Sequence, residues 1–72
     1  MIKISVLIAG RHATSISLEE DFFAELTAIA KEKNMSRNEL ITVIDRERTQ
    51  QNLSAAIRSY ILQYYKAKSA QN

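Results

Sequence analysis

The side chains able to do chemistry in this 72-residue chain are hydroxyls and cations rather than nucleophile–base pairs. Arg11, Ala13, Ser15 and Ser17 alternate along one short stretch, and Ser36 and Arg37 stand together further on. Serine hydroxyls and guanidinium groups form hydrogen bonds with an extended polar or anionic partner. Catalysis asks for more than this. There is no Cys, His12 is the single histidine, and Gly10 is the single glycine, which rules out a glycine-rich phosphate loop. No nucleophile–base pair and no metal set can be assembled from that inventory. The expectation is a protein that is not an enzyme and that uses no metal and no cofactor.

Ten Lys and Arg against eight Asp and Glu leave a formal net charge of +2, too little for a strongly basic nucleic-acid patch unless the cations cluster. Hydrophobic residues make up 46% and charged residues 25%, which suits a folded globular domain rather than a disordered chain. So short a chain commonly depends on disulfides, a metal or oligomerisation for stability. With the first two excluded, self-association is expected. The apolar start, Met1 to Gly10, is too short for a secretion signal, and Arg11-His12 follows it in place of a cleavage pattern. No run approaches the roughly 18 residues that span a bilayer. A soluble, cytoplasmic protein with no membrane contact is the expectation.

The elements that must position these residues are marked by spacing. Ile2, Ile4, Val6 and Ile8 alternate with Lys3, Ser5, Leu7 and Ala9, as in a strand with one buried face. Gly10 interrupts the run, where a bend or bulge is expected. Thr14, Ile16 and Leu18 then alternate with Ala13, Ser15 and Ser17. Two strands, or one long strand broken at Gly10, both satisfy this pattern. A strand without a partner in its own unit leaves backbone groups unpaired. The strand Thr14 to Leu18 is therefore expected to pair with a second copy of the chain.

Ser17 and Glu20 have the spacing of a capping box, and Glu19, Glu20 and Asp21 suit the start of a helix. Phe22, Phe23, Leu26, Ile29 and Ala30 form its apolar stripe, which predicts a helix from about Glu19 to Lys33, closed by a left-handed Asn34. Ser36 and Glu39 form a second capping box, with Met35 and Leu40 as a hydrophobic staple. That helix carries Leu40, Ile41, Val43 and Ile44. Thr49-Gln50-Gln51 reads as a loop. Asn52 then caps a third helix bearing Leu53, Ala56, Ile57, Tyr60, Ile61 and Tyr64. Lys66 to Asn72 has no apolar pattern, which predicts a single domain over residues 1–66 and a flexible tail at 67–72. Opposite charges suggest an ion pair between Asp45 and Arg58.

In order, length and spacing these segments resemble a ribbon-helix-helix protein, the fold of the Arc and methionine repressors. They are similar above all to a bacterial subgroup, through Gly10-Arg11-His12-Ala13-Thr14-Ser15-Ile16-Ser17-Leu18-Glu19, Phe22-Phe23, Ile44-Asp45 and Asn52-Leu53-Ser54-Ala55-Ala56-Ile57-Arg58. The resemblance implies a mainly α fold with a short β-ribbon, forming an intertwined dimer, plus a third C-terminal helix. It also implies a homodimeric transcriptional regulator or repressor whose ribbon enters the major groove of double-stranded DNA. The residues implied for that contact are Arg11, Ala13, Ser15 and Ser17 on the ribbon and Ser36 and Arg37 at a phosphate-holding helix start. Free N–H groups at such a start do bind anions.

Two departures stand out. Ala13 occupies a position where the subgroup carries Arg, and Ser15 and Ser17 discriminate poorly between bases. The acids Glu19, Glu20, Asp21 and Glu25 lie near the ribbon's end. A second function class therefore stands beside the first: a protein–protein interaction or dimerisation module such as an antitoxin, binding its partner through the third helix. Association of dimers into tetramers is a further possibility in assembly.

Overall fold

Alternation, one glycine and two apolar faces of matching length bring the strands together inside a single chain. In the computed structural model, which describes residues 1–8, 10 and 12–70, β1 (Ile2–Ile8) and β2 (His12–Leu18) form an antiparallel pair. The register runs from Ile2 opposite Leu18 to Ile8 opposite His12, symmetric about Gly10. Gly10 has φ +72, the left-handed backbone that glycine adopts without a steric cost, so the bend expected there is present. The pairing corrects the expectation that Thr14 to Leu18 must find its partner in a second copy. β1 supplies that partner, because a reversal at Gly10 lets one chain meet its own backbone groups.

Three helices follow: α1 (Glu20–Glu32), α2 (Arg37–Glu47) and α3 (Leu53–Ala70). α1 ends as expected. Asn34 takes φ 57, the Met35 N–H bonds to the Ala30 carbonyl at 2.9 Å, and the Asn34 N–H bonds to the Lys31 carbonyl at 3.1 Å. This is a Schellman closure. The expected box at the other end of α1 does not form. Glu19 is the capping residue, without a side-chain cap bond, and Ser17 remains in β2. The reason is competition: the Ser17 N–H donates to the Ser54 hydroxyl at 3.0 Å, and its carbonyl accepts from Arg58 at 3.2 Å.

α2 begins with the expected Ser36–Glu39 capping box, and Asn52 caps α3 through the Ala55 N–H at 3.1 Å. Between these helices, Arg48 donates to Asp45 at 2.8 Å and to the carbonyls of Gln50 and Gln51. Asp45 thus holds the α2–α3 loop rather than Arg58. Arg58 instead reaches Glu19 at 2.9 Å. α3 also continues past residue 66, since Lys68 bonds to Glu32 of α1 at 3.3 Å and the Tyr65 hydroxyl bonds to Glu25 at 3.1 Å.

The sheet covers the helices with Val6, Ile8, Ile16 and Leu18, which join Leu26, Ile29, Ala30, Leu40, Ile41, Ile44, Ala56, Ile57 and Ile61 in one core. Phe22, Phe23, Met35, Tyr60 and Tyr64 close its margins, half-buried. Leu18, Leu26, Ile41 and Ile57 are fully buried within one chain, so this core needs no second subunit to exclude water at its centre.

Candidate nucleic-acid interface

Burying Ile4, Val6, Ile8, Ile16 and Leu18 against the helices turns the alternate residues outward. The outward face is three cross-strand pairs: Lys3 with Ser17, Ser5 with Ser15, and Leu7 with Ala13. Lys3, Ser5, Leu7, Ala13 and Ser15 are exposed, and Ser17 is half-buried. Ala13, Ser15 and Ser17 thus lie on the face that the alternation assigned to them. Arg11 lies outside the described residues. Sequence reasoning missed the β1 half of the face. The signal was available in the alternation of Lys3, Ser5 and Leu7, but it has no meaning until β1 and β2 are known to pair.

Hydrogen bonds fix the geometry of the two strand edges. The Leu7 N–H donates to Asn38 Oδ1 at 3.2 Å, and Asn38 Nδ2 donates to the Leu7 carbonyl at 2.6 Å. Both backbone groups of Leu7 therefore point away from β2, as those of Ser17 point away from β1. Leu7–Ala13 and Lys3–Ser17 are then non-hydrogen-bonded pairs, in which side chains across the ribbon stand closest. Asn38 lies in the first turn of α2, directly after Ser36 and Arg37. One amide side chain thus ties the outward ribbon to the helix start that carries Ser36 and Arg37. Nothing in the local sequence of Asn38 announces this role.

The start of α2 is well ordered by its cap. The Glu39 N–H donates to the Ser36 hydroxyl at 3.0 Å and the Ser36 N–H donates to Glu39 Oε1 at 2.8 Å. The Ser36 backbone and hydroxyl donors hold the Glu39 carboxyl below its ordinary pKa. The Ser36 hydroxyl is therefore engaged in the cap. Arg37 extends back over α1, its guanidinium 4.5 Å from the Phe23 ring centre and its Nη1 3.3 Å from the Thr27 hydroxyl. Its partners are an aromatic face and a neutral hydroxyl. Stacking occupies the plane of the guanidinium and not its N–H edge, the part that meets a phosphate.

Of the acids near the ribbon, Glu19 is ion-paired with Arg58 at 2.9 Å. Glu19 is held below its ordinary pKa by its own backbone N–H, then by Arg58 and the N-terminal ammonium. At the far end of α3, the Tyr64 hydroxyl and then Lys68 lower the Glu32 carboxyl, while the same contact raises Tyr64 and Lys68. Among the described residues there is no cluster of three or more His, Asp or Glu placed to hold a metal. No helix among them is long and apolar enough to cross a membrane.

A family model described as a ribbon-helix-helix domain matches residues 1–65. The chain belongs to the ribbon-helix-helix family. No curated protein and no solved structure matches it. Ribbon-helix-helix domains are generally DNA-binding transcription regulators or antitoxins, and they serve as regulatory modules rather than enzymes. The elements that define this ribbon-helix-helix chain are the hairpin, α1 and α2. α3 is added to them, closes the core and holds the β2 edge at Ser17.

Two outcomes test this geometry. Asn38→Ala removes both bonds to Leu7 and should destabilise the ribbon–α2 junction by about 1 kcal/mol. Amide exchange at Leu7 should accelerate while exchange at Ile57 changes little. For Glu39, the folded pKa is lowered. Its contribution is therefore complete above the ordinary carboxyl value, about 4.3, and is lost as pH falls through the lowered value. Glu39→Gln keeps a hydrogen-bonding group and removes the titration. The thermal stability of that variant should fall less steeply than the native protein's between about pH 5 and pH 2.

Proposed function

We propose that this protein is a DNA-binding transcriptional regulator that presents the outward face of its ribbon to the major groove. One observation carries the reading: Asn38 joins the exposed ribbon to the start of α2, so base-facing and phosphate-facing residues form a single rigid unit. A major groove accepts an antiparallel ribbon, and a helix start accepts a phosphate. Ala13, Ser15 and Ser17 face the bases in this arrangement. Arg11, which stands between the two strands in sequence, brings the strongest base-reading side chain. The Ser36–Arg37 end of α2 holds the backbone, with Arg37 as its cation.

The family's homodimer is assigned to the outer edge of β2. That edge has no strand partner in the two-stranded sheet, and beside it runs a groove of about 490 Å³ lined by His12, Ala13, Ser15, Arg48, Asn52 and Ser54, among others. Ser17 has both backbone groups bonded to α3, so strand addition is confined to the part of β2 nearer the turn. A protein-binding role of the antitoxin kind has one observation in its favour: Leu62 and Tyr65 of α3 are 54% and 39% exposed. Recovery of a stoichiometric protein partner without DNA would support it.

Binding of mixed-sequence duplex DNA at low salt should be salt-dependent, and Arg37→Ala should lower the slope of log K against log salt by about 1. Absence of salt-dependent binding would overturn the regulator reading. Ala13→Pro removes an N–H that points away from β1, so the hairpin should survive by circular dichroism. Light scattering should then report a monomer. Continued dimerisation would exclude the β2 edge as the interface.

A further inference from the structure

The outward face is unusual in what it offers a base. Among its described residues, Lys3 is the single charged group, and Ser5, Ser15 and Ser17 are the hydrogen-bonding ones. None of these described residues is Arg, Asn or Gln, the side chains that make paired hydrogen bonds to guanine or adenine. Leu7 is the large side chain on the face and is 45% exposed. Single exposed leucines are common on protein surfaces and mean nothing by themselves. Leu7 differs in three respects. It stands opposite Ala13, so the two make an apolar strip across both strands. They form a non-hydrogen-bonded pair, which brings their side chains close together. Its backbone is held at both ends by Asn38, next to the helix start that carries Arg37.

Given DNA binding by this face, on which the inference rests, we infer that Leu7 is a specificity-determining residue that, with Ala13, contacts the C5-methyl groups of thymine. The methyl is the one apolar group that a base pair shows in the major groove, and it lies at the outer end of the adenine–thymine pattern, beside the groove wall. Leu7 is on β1, flanking β2, and so faces the side of the groove rather than its middle. Ordering costs little because the strand is already fixed by Asn38. The preferred ligand is duplex DNA with thymine at the positions beneath Leu7 and Ala13. Hydrogen bonds from Ser5 and Ser15 and the charge of Lys3 add affinity with little choice among bases.

The test uses the full chain and duplexes selected by it from a randomised library at low salt. Selected duplexes should be enriched in thymine. Resynthesis with deoxyuridine in place of thymine deletes only the methyl groups and should weaken binding by about fourfold per methyl contacted. Leu7→Ser should bind thymine and deoxyuridine duplexes with nearly equal affinity and keep the native salt slope. Leu7→Thr, which retains a methyl group and suits a strand, should keep part of the difference. Salt-dependent binding by the native protein that is indifferent to deoxyuridine overturns this inference while leaving DNA binding in place. So does equal sensitivity in the native and Leu7→Ser proteins, or a loss of self-association on Leu7→Ser, which would place Leu7 against a second copy. Absence of any salt-dependent binding overturns both readings together.

Discussion

The register that sets Ile2 against Leu18 and Ile8 against His12 governs the rest of this molecule. Side chains alternate along a strand, so a slip of one residue would send Val6, Ile8, Ile16 and Leu18 into solvent and drive Lys3, Ser5 and Ser15 toward the helices. The core forbids that exchange, because Ile16 and Leu18 are packed to near-zero exposure among Leu26, Ile41 and Ile57. The same packing therefore fixes the composition of the outward face. Gly10 permits the reversal that this register requires. Nothing lies within 4 Å of where its Cβ would stand, so the demand at that position concerns backbone angle and not room.

A two-stranded sheet has two open edges, and open edges invite association with other chains. Here each strand is closed at one point, at opposite ends of the ribbon. β1 is closed near the turn, where Asn38 takes both backbone groups of Leu7. β2 is closed near its end, where Ser54 and Arg58 take both groups of Ser17. These clamps come from different helices, so the ribbon is pinned to α2 at one end and to α3 at the other. Arg58 also pairs with Glu19 at the head of α1, which draws an acid toward α3 and lessens its repulsion of an anion near the ribbon.

Much of this was legible in the residues. Asn34, Ser36 with Glu39, and Asn52 each behave as their local spacing indicated, because caps and turns are decided within a few residues. Alternation likewise gave the inward and outward faces of β2. What escaped were the choices made at long range. Ser17 has the spacing of a helix cap, but its backbone is held from 37 and 41 residues away by Ser54 and Arg58. Asp45 and Arg58 have opposite charges, yet Asp45 pairs with Arg48 beside it, and Arg58 reaches Glu19 on the far side of the chain. The end of α3 shows no apolar stripe because polar contacts secure it, through Lys68 to Glu32 and the Tyr64 ring. Lys3, Ser5 and Leu7 joined the outward face only when β1 was paired with β2.

Closing the hairpin within one chain also changes what a second copy is for. When a ribbon forms only between subunits, folding, dimerisation and the reading face are a single event. In this chain β1 already satisfies β2, and the core is sealed at Leu18 and Ile57 without a partner. Association is then free to serve recognition. In the proposed dimer it would place two copies of one prebuilt face on a duplex, at a spacing set by the β2 edge, and add no burden to the fold of either. A weakly charged ribbon suits such a division. In the proposed dimer, two linked faces would grip far better than one, while selectivity would fall to a few side chains, such as Leu7 and Ala13, whose positions the core has already decided.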